Sequence, residues 1–392
     1  MRKIKENLFW TGVIDWDRRV FDSLIPLPDG TSYNAYLLKG SEKTVLFDTV
    51  DAEHIEEILV KLQSEEKIDY IVSHHAEQDH SGAIPAVLEK YPAARLIVSP
   101  KAKGLLKDIL QIEDDRFWVV EDGQTLSLGD KTLKFMHMPW VHWPETMVTY
   151  LEEDHILFSC DLFGSHLATS DLFAEDKSRV YEAAKRYYAE IMMPFRSHIE
   201  KHLERLAGLE LKMIAPSHGP VHNDPDFILR AYRDWVLGKP KNGVSVFYIS
   251  MHGSTREMVN HFIQELIKRD VKVERFELTY PNIGKMAMSL VDAATIVVAT
   301  PTVIGGPHPN VAYAAYLANL LNPKAKFIGL IGSLGWGGRV AEQVTKMVSN
   351  IKAEVLPPVL TKGFPHEQDY EALANLAETI AQKHRELLAE AF

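Results

Sequence analysis

The sequence has one cysteine, Cys160, among 392 residues. No intrachain disulfide is possible, which suits a reducing compartment, and a cytoplasmic location is expected. One thiol also excludes a rubredoxin module, a cysteine-ligated zinc module or an iron–sulfur cluster built within this chain. Any metal must be held mainly by histidines and carboxylates. Long apolar runs are missing as well. No stretch of about 18 apolar residues occurs, so no membrane span is expected. The opening Met1-Arg2-Lys3-Ile4-Lys5-Glu6-Asn7 is charged and lacks an apolar core behind it, so no signal peptide is expected. Positive charge is in deficit: the formal net charge of -11 argues against a general nucleic-acid binder. The chain also lacks internal repeats and low-complexity tracts.

What is present suits two packed domains. The hydrophobic content of 46% supports buried cores, and the length allows two domains of ordinary size. Residues 8 to 50 read as short strands with turns, and Ala52 to Leu62 carries a helical spacing of Ile55, Ile58, Leu59 and Leu62. An apolar strand, Ile68 to Val72, then leads into Ser73-His74-His75-Ala76-Glu77-Gln78-Asp79-His80. Four potential metal ligands, His75, Glu77, Asp79 and His80, fall within six positions. Three more segments follow at strand ends, carrying His142 (in Val141-His142-Trp143-Pro144-Glu145), Asp161 (in Cys160-Asp161-Leu162-Phe163-Gly164) and His218 (in Ser217-His218-Gly219-Pro220). A rigid sheet gathers site residues this way, on loops at one edge.

These candidates exceed the needs of one four-coordinate ion and suffice for two ions sharing a bridge. Asp161 is the natural bridge, since a carboxylate can give one oxygen to each metal. Three carboxylates make the set hard and shift the preference toward iron or manganese, with zinc possible. His74 is expected to point away from His75 as a non-ligand, Asp48 to brace the loop, and Cys160 to be a small buried residue. A helical region is expected over about Arg179 to Leu206. His166 falls in Phe163-Gly164-Ser165-His166-Leu167 as a candidate proton or hydrogen-bond donor.

Trp235 to Gly243 reads as a linker by composition, giving expected domains at 1–242 and 243–392. Beyond it, apolar strands at Val244–Ile249, Val271–Leu278, Thr295–Ala299, Phe327–Ile331 and Glu354–Leu360 alternate with helices. The helices are expected at Thr255–Lys268, Val311–Leu321, Arg339–Lys352 and Asp369–Glu390. Such alternation implies a parallel sheet covered on both faces. Ser250-Met251-His252-Gly253-Ser254-Thr255 joins the first strand to a helix, where hydroxyls and free amides suit a phosphate or a simple helix cap. Two further loops weigh toward a phosphate-bearing ligand: Thr300-Pro301-Thr302-Val303-Ile304-Gly305-Gly306 and Ser333-Leu334-Gly335-Trp336-Gly337-Gly338. In a flavodoxin-like strand order these edge the switch point where FMN binds, with Trp336 as a flat apolar surface for the ring. Walker and dinucleotide glycine patterns are absent.

The order of ligand motifs resembles a metallo-β-lactamase fold. Its hydrolases carry H-x-H-x-D-H as the first motif, and Glu77 stands here at the second histidine. A glutamate at that place, with the His142-Trp143-Pro144-Glu145-Thr146-Met147 and Ser217-His218-Gly219-Pro220 segments and the three C-terminal loops, resembles the flavodiiron proteins. The resemblance implies an α/β two-domain fold: an N-terminal metallo-β-lactamase-like αββα sandwich followed by a C-terminal flavodoxin-like doubly wound parallel sheet. It implies two iron ions, one held by His75, Glu77, His142 and Asp161, the other by Asp79, His80, His218 and the shared Asp161. It implies FMN in the second domain and reduction of dioxygen to water or of nitric oxide to nitrous oxide. An external donor, rubredoxin or a reduced deazaflavin, and a head-to-tail homodimer or dimer of dimers complete what is implied. The alternative is a zinc-dependent hydrolase of the same fold fused to a flavodoxin, against which Glu77 and the flavin loops stand.

Overall fold

A computed structural model describes residues 1–389. The chain divides into two compact units, the first Met1–Leu237 and the second beginning at Gly238.

The first unit is built on alternation. In Thr44–Phe47, Tyr70–Val72 and Arg95–Val98, side chains point by turns to opposite faces of one seven-stranded sheet. Leu46, Ile71, Leu96 and Val98 face one way and pack with Ile58, Ile84, Val87 and Leu106 of the covering helices. Val45, Phe47, Val72 and Ile97 face the other way and meet Leu133, Phe135, Met147, Ile156 and Phe158 of a second, five-stranded sheet. Phe47 and Phe158 stack with ring centroids 4.0 Å apart. The result is two sheets face to face with helices outside.

Three strand ends matter most. Tyr70–Val72 leads into the His75–His80 segment, Ile156–Cys160 into Asp161, and Met213–Pro216 into His218. Tyr70–Val72 runs parallel to Thr44–Phe47, and Ile156–Cys160 parallel to Met213–Pro216. Loops following parallel neighbours emerge at one edge of their sheet.

The second unit has strands in the order Lys272–Glu277, Lys241–Tyr248, Ala293–Val303, Phe327–Leu334, Glu354–Val355, all parallel. By chain position that order is 2-1-3-4-5, the doubly wound arrangement with its switch between the first and third strands. Val246, Tyr248, Val297 and Ile331 pack against Met258, Phe262 and Leu266 of Ser254–Ile267 and Leu373, Leu376 and Ile380 of Glu367–Ala389.

Several expectations change in detail. Trp235 is buried in the last turn of the helix Pro225–Leu237, and a strand starts at Lys241, so only residues 238–240 form the irregular connection. The fifth strand is two pieces, Glu354–Val355 and Val359–Lys362, because Pro357 and Pro358 between them cannot donate to a ladder. Helical winding over 179–206 is not uniform: a π-turn at Tyr188–Met192 and a 3-10 turn at Met193–Phe195, containing Pro194, separate Lys177–Tyr187 from Arg196–Leu206. Helices at Pro100–Leu110 and Ile283–Asp292 were not anticipated from periodicity. The expected helix end at Glu390 lies outside the described residues.

Two predictions test this packing. Phe47→Ala removes a fully buried ring between the sheets and is expected to cost about 3–5 kcal/mol, read by chemical denaturation. A loss below about 1 kcal/mol would contradict the packing. In the second unit, His384 lies between the Thr295 hydroxyl (2.7 Å) and the Asn242 side-chain oxygen (2.9 Å). Burial lowers its pKa from 6.5 to about 4, so the fold holds the neutral ring. Its contribution is present above pH 6.5 and is lost as pH falls toward about 4, because the unfolded chain takes up the proton first. His384→Gln is expected to flatten the stability–pH slope in that window. An unchanged slope would show that the ring does not titrate this way.

Candidate functional site

Backbone strain marks the edge where the ligand loops meet. Asp48, Trp140, Cys160 and Phe163 all have positive φ, at 54°, 67°, 53° and 72°. Non-glycine residues rarely adopt this region, and such strain clusters at sites the surrounding fold over-determines. At Cys160 and Asp48 it turns the chain sharply at the end of a strand.

The turn at Cys160 delivers Asp161, whose two oxygens face different imidazoles. Oδ2 lies 3.6 Å from His75 Nε2 and 3.5 Å from His142 Nε2. Oδ1 lies 3.1 Å from His80 Nε2 and 3.4 Å from His218 Nε2. Glu77 Oε2 completes the first group, 3.1 Å from His75 and 3.0 Å from His142. Asp79 completes the second, 3.3 Å from His80 and 3.1 Å from His218. All seven residues singled out as metal ligands are therefore together, as the groups His75–Glu77–His142–Asp161 and Asp79–His80–His218.

The cluster fits cations better than it fits itself. Both oxygens of Asp79, both oxygens of Asp161 and both ring nitrogens of His80 are buried without a hydrogen-bond partner. Burying carboxylates this way is costly unless positive charge joins them. The same hunger for positive charge appears in the histidines. Burial disfavours a proton on His218, yet Asp161 and Asp79 outweigh it and raise the pKa to about 10. Burial likewise opposes charge on His142, and Asp161 with Glu77 raise it to about 9. A di-cation pair held by Nε2 and carboxylate oxygens would meet the same demand.

Cys160 can also approach His80 and Asp161. Burial, then the charges of Asp161 and Asp48, push its thiol pKa well up, so the protonated thiol is a poor ligand. His74 is turned away. Its Nδ1 and backbone amide donate to the two oxygens of Asp48 at 2.7 and 2.8 Å, and its Nε2 lies 2.7 Å from the Thr149 hydroxyl. His166 lies against the cluster, its ring 4.8 Å from that of His218. Its Nδ1 meets the Thr31 hydroxyl at 2.9 Å and its Nε2 is buried without a partner. Burial, reinforced by His218, lowers its pKa well below 6.5 and keeps the ring neutral. A cavity of about 340 Å³, lined among others by Arg18, Phe21, Asp22 and Trp143, reaches Glu77 and Asp79.

In the second unit, Gly253 at φ 96° begins the helix Ser254–Ile267. The Ser250 hydroxyl oxygen accepts the amides of Gly253 and Arg256, both at 3.2 Å. A cavity of about 220 Å³ opens here between three loops. Ser250, Met251, His252, Ser254, Thr255, Pro301, Thr302, Ser333, Leu334 and Gly335 line it. The Thr255 and Ser333 hydroxyls meet at 2.8 Å, tying the first loop to the third. Val303, Ile304, Gly305, Trp336 and Gly337 are not part of this lining. Ile304 and Trp336 instead stand 95% and 73% exposed. Gly363 also lines the cavity and was not anticipated. Amides at a helix N-terminus beside hydroxyls form a cradle for a phosphate group.

The family model described as ODP family beta lactamase matches residues 31–219. The chain is 34% identical to the rubredoxin-oxygen oxidoreductase of Megalodesulfovibrio gigas, over 99% of each chain. It is 33% identical to the nitric oxide reductase of Moorella thermoacetica, covering 97% of this chain and 98% of that one. The crystal structure of the flavodiiron protein from Giardia intestinalis superposes with a TM-score of 0.93 at 28% identity, over 99% and 98% of the two chains. The chain belongs to the flavodiiron protein family.

Sequence reading missed two residues that shape the site of this flavodiiron protein. Glu145 sits behind His75, accepting from its Nδ1 at 2.7 Å. Tyr187 packs its ring 4.9 Å from His166 and 5.8 Å from His218. Burial, then the charge of Asp161, raise its pKa well above 10, so it keeps its proton beside that carboxylate. Glu145 was visible in the segment Trp143-Pro144-Glu145, where a buried-looking acid next to a ligand histidine is a signal. Tyr187 lies on a helix far along the chain and carries no such signal.

Proposed function

We propose that this flavodiiron protein reduces dioxygen to water, nitric oxide to nitrous oxide, or both, at a di-iron centre fed by FMN. The observation that carries the reading is the two-sided placement of Asp161 between His75–His142 and His80–His218. His75, Glu77, His142 and Asp161 would hold one iron, and Asp79, His80, His218 and Asp161 the other. The second-unit loops would hold FMN, its phosphate against the amides at Ser254 and Thr255. When bound, two ferrous ions and one reduced flavin together supply the four electrons that turn dioxygen into two waters, or the two that join two nitric oxides as nitrous oxide.

The chain's own residues do the rest. Histidine and carboxylate ligands hold charge without thiolates that oxygen chemistry would oxidise. The cavity of about 340 Å³ at Glu77 and Asp79 has room for a diatomic. His166, neutral and unpartnered at Nε2, is the proposed hydrogen-bond or proton donor facing the centre, held in place by Thr31 at Nδ1. Tyr187 keeps its proton and offers a second donor near Asp161.

Exposed Ile304 and Trp336 leave apolar surface at the loops beside the flavin cavity. A second copy covering these loops, head to tail, is the proposed assembly, as a dimer or a dimer of dimers. An external electron donor is proposed, with rubredoxin first because it appears in the name of the Megalodesulfovibrio relative, and a reduced deazaflavin second. Among the described residues no helix is long and apolar enough to cross a membrane. Action in the cytoplasm is proposed on the single cysteine.

Asp161→Ala is expected to abolish gas consumption at dioxygen and nitric-oxide electrodes while leaving FMN bound. Retained reduction in that variant would remove the assignment. Gly253→Ala forces a side chain into φ 96°, at roughly 1–2 kcal/mol, and is expected to lower FMN affinity about tenfold. Unchanged flavin titration would place the phosphate elsewhere.

A further inference from the structure

The nitrogens turned away from the metal cluster meet unequal partners. His75 Nδ1 donates to Glu145 Oε1 at 2.7 Å, and the same oxygen accepts the Ala76 amide at 3.0 Å. His218 Nδ1 donates instead to the Ser32 backbone carbonyl at 2.7 Å. His80 Nδ1 is buried without a partner. Of these three imidazoles, only His75 is backed by an anion.

The anion is held firmly and left undiluted. The Glu145 side chain is fully buried, and its Oε2 has no partner. The Ser99 hydroxyl donates to the Glu145 backbone carbonyl at 2.6 Å and fixes the segment. Because Nδ1 carries the proton that Glu145 accepts, the Nε2 lone pair of His75 is the one presented to Glu77 and Asp161. A carboxylate on the far nitrogen also makes an imidazole a stronger donor than a neutral carbonyl does. Its buried negative charge favours the higher oxidation state of a nearby ion, since little solvent screens it.

We infer that Glu145, acting through His75, makes the two halves of the metal centre unequal. The ion on the His75–Glu77–His142 side is the more tightly held and the more readily oxidised of the pair. Glu145 is a positioning residue in this role, and the inference rests on the di-iron reading above.

The test uses the whole protein loaded with iron. Glu145→Gln keeps the shape and the acceptor oxygen but removes the charge. One of the two irons is expected to lose affinity 10–100-fold against a ferrous chelator. The same iron's midpoint potential, followed by the mixed-valence spectroscopic signal, is expected to rise by about 59 mV for each tenfold loss of ferric preference. The other iron should be unmoved. Two irons that both stay unchanged, or that shift equally, overturn the inference. If the glutamine variant yields no folded protein, the same measurements on Glu145→Ala, which also removes the charge, decide, with a one-sided change upholding it and an equal or absent change overturning it. Unaltered protein without two irons would refute the di-iron reading and this inference together, whereas two irons with an unresponsive variant refutes this inference alone.

Discussion

A carboxylate buried between two pairs of imidazoles is the constraint on which the first unit turns. Asp161 is almost fully inaccessible, and neither of its oxygens has a hydrogen-bond partner. Such a group is tolerable only if cations meet it or every neighbour is positioned to favour its charge. The neighbours are so positioned. Cys160 accepts a strained backbone to aim it, and four histidines present Nε2 to its two sides. Behind them a further layer locks the rings: Glu145 on His75, the Ser32 carbonyl on His218, and Asp48 with Thr149 on the non-ligand His74.

That layer is joined to the packed sheets beneath the site. His74 stacks on Phe47, which stacks on Phe158 across the sheet interface. The loop bearing His75, Glu77, Asp79 and His80 is thereby tied to the hydrophobic core through one aromatic column. A loose core would let the ligand loop drift, and ligand geometry tolerates little drift.

The second unit solves the opposite electrostatic problem with different means. The first gathers acidic and imidazole side chains suited to cations. The second offers backbone amides and hydroxyls suited to an anion, at the start of the helix Ser254–Ile267. Parallel strand order brings three loops together at one edge, so residues about 50 and 80 positions apart in sequence line one cavity.

Spacing along the chain was enough to pick out the residues that gather around Asp161 and the loop that opens the helix Ser254–Ile267. His75, Glu77, Asp79 and His80 follow one strand, and His142, Asp161 and His218 each follow another, because strand ends are where a sheet can present side chains. Apolar runs likewise revealed the strands whose two faces build the cores, because a strand buried on both faces reads as a continuous hydrophobic run. Local pattern could not reveal what depends on distant elements meeting. Glu145 and Tyr187 are recognised only once Ala76, His166 and His218 stand beside them. Ile304 and Trp336 belong to loops that line the cavity through Pro301, Thr302, Ser333, Leu334 and Gly335, yet they themselves stand outside the lining. Which oxygen of Asp161 faces which histidine, and which histidine has an anion behind it, follows from how strands far apart in sequence are registered and how tightly they pack. The sequence alone determined which chemistry was available. Tertiary structure decided how charge is divided across it, because electrostatic effects depend on separations in space and not on positions along the chain.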